Sequence, residues 1–258
     1  HIARPDTDLV SRWQALTGLA LPNLIQAARD AREGKPVTVD QAFIAALLEA
    51  AADAKLEPAC RAQALALPSE ADIARELGGN NDPEAIHAGR QAVLALIAQA
   101  GRETFLSLTD EMRVEGAFTP DAASAGKRSL RNSALGYLAF AENTPARAAE
   151  AFAKSDNMTD LSQALTLLAH RFPDSKEARQ ALETFAKRFA DNPLVIDKWF
   201  LIQATIPGDG ALARVKALME DEKFNANNPN RVRSLVGAFA FSNATGFNRA
   251  DGEGYHFL

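Results

Sequence analysis

The sequence predicts an all-α fold, an irregular superhelix in which helical hairpins stack as an α-solenoid-like array over residues 1–258 as a single domain. Three observations predict it. Alanine and leucine dominate a chain that is 47% hydrophobic, while β-branched residues are scattered and no run alternates as a strand does. Apolar residues recur every three or four positions through most of the chain, the period of a helix with one buried face. Between these stretches stand short polar breaks in which Asp, Asn, Ser or Thr sits beside a proline or an acidic first turn, which is how a capped helix begins.

The elements follow in order. Asp6 to Ala31 carries Leu9, Trp13, Leu16, Ala20, Leu24 and Ala28 on one stripe, with Pro22 as an interior kink point. Gly34-Lys35-Pro36 breaks the chain before a helix over Val39–Ala54 with Phe43, Leu47 and Leu48 on one face. Pro58 suits the first turn of a short helix to Leu65, and Ser69 with Asp72 three residues on opens the next. Asp82-Pro83-Glu84 starts a helix that runs past Leu96 to about Met112 and relaxes at Gly101. Thr119-Pro120-Asp121, Asn143-Thr144-Pro145, Asn157-Met158-Thr159-Asp160, Pro173-Asp174-Ser175 and Asp191-Asn192-Pro193 open five more helices. Ala211–Glu220 follows Pro207-Gly208-Asp209-Gly210, and Asn227-Asn228-Pro229-Asn230 precedes a helix from about Arg231 to Phe241. No tetratricopeptide, ankyrin or leucine-rich signature recurs in register, so the array is irregular. No segment is long enough to act as a linker between domains.

Composition narrows the function. Of 258 residues, 28 are Lys or Arg and 33 are Asp or Glu, a formal charge of −5. That balance lacks the basic footprint that duplex nucleic acid requires. No apolar run is long enough to span a bilayer, and the chain does not open with the pattern of a signal peptide. The single cysteine, Cys60, precludes an internal disulfide and fits a reducing compartment, most simply the bacterial cytoplasm. The sequons at Asn157 and Asn243 then read as chance matches.

Catalytic signatures are missing. The four histidines, His1, His87, His170 and His256, are all isolated, so no His-Glu-x-x-His zinc site exists within the chain. There is no phosphate-binding glycine loop and no Gly-x-Ser-x-Gly. Asp251-Gly252-Glu253-Gly254 has only part of a calcium loop's ligand ladder and reads as a turn. Cys60 reads as a small buried residue. The sequence therefore predicts no catalytic and no metal-ligating residue of its own. Two basic clusters remain, Lys127-Arg128-x-x-Arg131 and Arg231-x-Arg233. For the second, two readings stand side by side. The asparagines cap the helix and the arginines pair with carboxylates, or the guanidinium groups face a cavity and bind a carboxylate ligand.

Several stretches resemble the C-terminal helical domain of bacterial aminopeptidase N. They are Lys127-Arg128-Ser129-Leu130-Arg131-Asn132, Asn157-Met158-Thr159-Asp160, the nine residues from Asp197 through Lys198-Trp199-Phe200 to Thr205, and the thirteen from Asn228 through Pro229-Asn230-Arg231-Val232-Arg233 to Ala240. The likeness covers nearly the whole chain and is loosest before about residue 120. Members of that family are zinc metallo-aminopeptidases with an N-terminal β domain, a thermolysin-like catalytic domain, a small β domain and a large helical domain. Their zinc motif and their Gly-Ala-Met-Glu-Asn motif belong to the catalytic domain, and neither occurs here.

The resemblance implies that the chain is a piece of such an enzyme, truncated at both ends, with the last helices missing and apolar surface left open to self-association. It implies zinc in the parent enzyme but not on this chain. The implied partners are peptide substrates and the catalytic domain of the same polypeptide, with no nucleic acid and no membrane. It places this domain over the active-site cavity as a wall of the peptide's access route. Arg233 is the implied contact to the peptide beyond the scissile bond or to its carboxylate, with Arg231 and Asn230 as weaker candidates. The competing reading from the residues alone is a non-catalytic α-solenoid scaffold that docks a protein partner.

Overall fold

Helix caps written in the sequence decide where each element begins. A computed structural model describes residues 9–116 and 118–258. Among these residues the chain forms helices and turns and no strand, as the sequence predicts. The helices are α1 (Leu9–Arg32), α2 (Gln41–Ala52), α3 (Pro58–Ala64), α4 (Glu70–Leu77), α5 (Pro83–Ala100), α6 (Arg102–Glu111), α7 (Ala122–Glu142), α8 (Ala146–Lys154), α9 (Met158–Arg171), α10 (Lys176–Arg188), α11 (Pro193–Ala204) and α12 (Ala211–Met219). Then come α13 (Pro229–Val232), a π-helical turn (Arg233–Gly237), α14 (Ala238–Ser242), α15 (Ala244–Phe247) and α16 (Glu253–Phe257). No described helix is long and apolar enough to cross a membrane.

Asp82 accepts from the amides of Glu84 and Ala85, Asn157 from Asp160, Ser175 from Ala178 and Asn192 from Val195. Ser69 and Asp72 form a reciprocal capping box. Each side chain satisfies first-turn amides that have no partner within the helix. Gly101 divides the predicted long helix into α5 and α6, and Pro22 lies inside an unbroken α1. The start of the first helix, predicted at Asp6, lies outside the described residues, as does His1.

The helices gather into two compact units, residues 1–143 and 144–258. Each has its own core. In the first, α1 packs along α5, while α7 lies against α3, α5 and α6. Phe43, Ile73, Val93, Phe105 and Leu138 fill the interior. Gly89 sets the spacing of α1 and α5, because a Cβ there would stand 2.6 Å from the Ala27 carbonyl carbon and the Ala28 nitrogen. Tyr137 stacks on Phe105 with centroids 4.6 Å apart and donates to the Leu65 carbonyl at 2.8 Å. Arginines satisfy backbone carbonyls: Arg61 donates to Ala51 O at 2.7 Å, Arg128 to Thr119 O at 2.8 Å and Arg131 to Thr109 O at 3.2 Å. The two arginines of the first basic cluster are thus tied to the backbone, while Lys127 is exposed.

In the second unit successive helices pair as hairpins, α8 with α9, α9 with α10 and α11 with α12. Phe185, Phe200, Leu235 and Phe239 are fully buried in one cluster. His170 Nε2 lies 3.0 Å from Ile202 O, and the Trp199 indole donates to Leu182 O at 3.0 Å. Asn243, only 3% exposed, donates to both Ala204 O and Ile206 O at 2.8 Å and accepts from the Gly246 amide. This sequon asparagine is a buried clasp between the end of α14 and the end of α11.

Two outcomes follow. Gly89→Ala is expected to lower urea stability by about 1–3 kcal/mol through overpacking of helix against helix. Gly136→Ala, on α7 with open space where the Cβ would stand, is expected to raise it by about 0.5–1 kcal/mol. Burial holds the Tyr137 phenol protonated well above the usual tyrosine range, against a smaller opposing effect of Arg90. The folded state therefore keeps a proton that the unfolded chain releases near pH ~10. Stability from this group is complete below that pH and is lost as the pH rises above it. In Tyr137→Phe, urea midpoints are expected to fall less steeply from about pH 10 upward, with a cost of about 1 kcal/mol below it.

Candidate functional site

The helical stretch from Pro229 to Ser242 is built differently from its neighbours. Asn228 caps it, its Oδ1 accepting from the amides of Asn230 at 3.0 Å and Arg231 at 3.4 Å. Three side chains spaced by four, Arg231, Leu235 and Phe239, all point into the core. In a regular helix each step of four residues advances about 40° past a full turn, so three such residues drift off one line. The π turn at Arg233–Gly237 takes in one more residue per turn and keeps the three aligned.

The same turn aligns two outward files. Val232, Val236 and Ala240 form one, and Arg233, Gly237 and Phe241 the other. Together with Leu258 they line a shallow groove of about 550 Å3. Phe241 stands 92% exposed at one end. Gly237 has no side chain and leaves the floor open between Phe241 and Arg233.

The predicted site residues separate here. Arg231 is 6% exposed. Its Nε donates to Asp197 Oδ1 at 2.7 Å, a second nitrogen to Lys223 O and a third to Pro193 O at 3.4 Å, while the guanidinium lies 5.0 Å from the centre of the Phe200 ring. A side chain so buried and so engaged is held inside the protein, away from any ligand in solvent. For Arg231 the geometry therefore selects the first of the two sequence readings, pairing with a carboxylate inside the protein. Arg233 is exposed and pairs with no carboxylate among the described residues. Its one hydrogen bond runs to Asn230 Oδ1 at 3.4 Å. The exposed Asn230 thus steadies Arg233 at the rim. An unpaired, forked cation beside an apolar trough suits an anionic group attached to apolar atoms.

Sequence reasoning missed Asp197, Gly237 and Phe241 as parts of this site. A signal was present, namely three files spaced by four in a region otherwise spaced three and four.

No described group of three or more His, Cys, Asp or Glu side chains could hold a metal. His87 is engaged by Glu70 at 2.7 Å, and His170 by a carbonyl. Asp251, in the calcium-like stretch, is taken by Arg249, whose hydrogen bonds draw its carboxyl down to about 2.

A protein-family model described as a domain of unknown function with ARM repeats (DUF3458_C) matches residues 1–258. The chain belongs to that family. This ARM-repeat chain is 39% identical over 257 residues to aminopeptidase N of Caulobacter vibrioides, covering 98% of the chain and 29% of that protein. It is 36% identical over 256 residues to aminopeptidase N of Escherichia coli, covering 96% of the chain and 28% of that protein. A crystal structure of Legionella pneumophila aminopeptidase A in complex with aspartic acid matches 99% of the chain and 30% of that protein, with a TM-score of 0.84 and 28% identity. The ARM-repeat chain therefore spans less than a third of the length of these relatives. The likeness to aminopeptidase N read from the sequence is shared along nearly its entire length.

Asp197→Ala leaves a buried guanidinium without its carboxylate and is expected to cost about 3–5 kcal/mol in urea unfolding. Arg233→Ala is expected to change stability by no more than about 0.5 kcal/mol. Equal losses from both would contradict the division of labour between the two arginines.

Proposed function

We propose that this chain is one domain of a zinc-dependent aminopeptidase of the bacterial cytoplasm, an enzyme that removes N-terminal residues from peptides. The observation that carries the reading is the alignment of nearly the whole chain with proteins named aminopeptidase while it spans under a third of their length. On this reading its two units act as a single helical domain. It contributes no catalytic group and encloses the active-site cavity, lining the route by which peptides enter. A walled cavity admits short peptides and keeps bulk water and folded proteins from the reacting bond. On this reading zinc and its ligands belong to another part of the polypeptide, in keeping with the absence of a metal-holding cluster among the described residues.

The chain's own contribution is binding. Arg233 meets the peptide beyond the scissile bond at its carboxylate, Asn230 steadies Arg233, and Arg231 holds the helix beneath them. Where such a contact is equally strong in the ground and transition states, it acts on KM and leaves kcat alone. The isolated chain is expected to release no N-terminal residue from any peptide, whereas the longer polypeptide does so in a zinc-dependent way. In that polypeptide, Arg233→Ala is expected to raise KM about tenfold for a tripeptide with a free carboxylate and to leave KM unchanged for an aminoacyl anilide, which has none. Metal-dependent release by the isolated chain would sink the reading. Unchanged kinetics in Arg233→Ala would return that residue to a surface role, and binding of a protein partner without peptidase activity would favour a scaffold.

A further inference from the structure

Four acceptors of side chain and backbone, drawn from three stretches of chain, converge on one short helix. Asp197 and the Pro193 carbonyl come from α11, the Lys223 carbonyl from the segment after α12, and Asn228 from the helix's own cap. All but the cap act on the Arg231 side chain, and the cap accepts from the amides of Asn230 and Arg231. The far end of the same helix is fastened separately, by Phe239 against Phe247 and Phe257 and by the Asn243 amide. Between the two fastenings lies the π turn, and Arg233 is its first residue.

A helix fixed in rotation at both ends cannot choose its own winding in between. Residues 231 and 239 are eight apart, and eight residues of regular helix overshoot two full turns by about 80°. If Arg231 and Phe239 are both to face inward, the intervening turn must absorb most of that angle. The wider π turn does so. Were Arg231 released, the stretch would be free to wind as a regular helix. Arg233 would then swing round the axis with it and leave the file it shares with Gly237 and Phe241.

We propose that Asp197 and Arg231 are positioning residues, a buried ion pair that holds the π register of residues 233–237 and so aims Arg233 along the groove. The proposal deepens the peptide-contact reading of Arg233 and rests on it for its functional half. The pair touches no substrate. Its carboxylate and guanidinium are mostly shielded, with side-chain exposures of 13% and 7%, so solvent does little to loosen it.

The test has a structural and a kinetic arm. In this chain, Asp197→Asn keeps the shape of the side chain and an acceptor but loses the charge. Backbone NMR of residues 231–239 is expected to show the i to i+5 hydrogen bonds of residues 233–237 replaced by i to i+4 bonds. In the longer polypeptide, the same substitution is expected to raise KM about tenfold for a tripeptide with a free carboxylate, with kcat unchanged. The C-terminally amidated tripeptide is expected to show no change. In an Arg233→Ala background Asp197→Asn is expected to add nothing, as coupled residues do.

A retained π register, equal effects on acid and amide, or full additivity with Arg233→Ala would each overturn the proposal. If Asp197→Asn does not fold, Arg231→Lys carries the same comparisons, since it keeps the charge and loses the three-armed fork. If Arg233→Ala alone leaves KM untouched, the peptide-contact reading fails. The NMR arm still decides whether the pair sets the register.

Discussion

A guanidinium without water must find acceptors for its N–H groups or destabilise the fold that buries it. Arg231 finds them on α11 and on the strand of coil that leads from α12. Because those acceptors are spread over separate elements, the side chain locks the elements to each other as well as to itself. The Phe200 ring beneath it supplies a face of negative charge density. The π turn, the inward line of Leu235 and Phe239 and the outward line of Arg233 and Phe241 all follow from where this one side chain must lie.

Much of the fold was legible because caps are local. Asp82-Pro83, Asn157, Ser175 and Asn192 act within three residues of themselves, so the sequence alone locates those starts. Proline placement misled by a residue or two. Asp121, not Thr119, caps α7, and Pro145 itself takes the cap position of α8. The short α15 went unread in the sequence although Asn243 caps it locally through the Gly246 amide; the hold of Asn243 on carbonyls at the end of α11, nearly forty residues away, could not be read from the sequence. The Asn243 sequon, read from the sequence as a chance match, falls on a residue only 3% exposed.

The two arginines illustrate what sequence cannot separate. Arg231 and Arg233 lie two apart with the same chemistry, yet Arg231 pairs with a carboxylate inside the protein while Arg233 stays exposed and unpaired with any described carboxylate. The choice depended on Asp197, thirty-four positions away, and on a helix that departs from 3.6 residues per turn. Periodicity analysis assumes the regular turn, so it cannot report the departure. Short motifs can be sought in sequence for the opposite reason, since they depend on residue types at fixed local spacings.

Among the described residues the buried charged side chains are Arg61, Arg128 and Arg231, each engaged with backbone carbonyls and, for Arg231, also with the mostly shielded Asp197. The positive charge that solvent meets is thus carried by other residues. An anion approaching this domain meets a net negative charge, and Arg233 stands on its surface as an exposed cation that no carboxylate neutralises among the described residues.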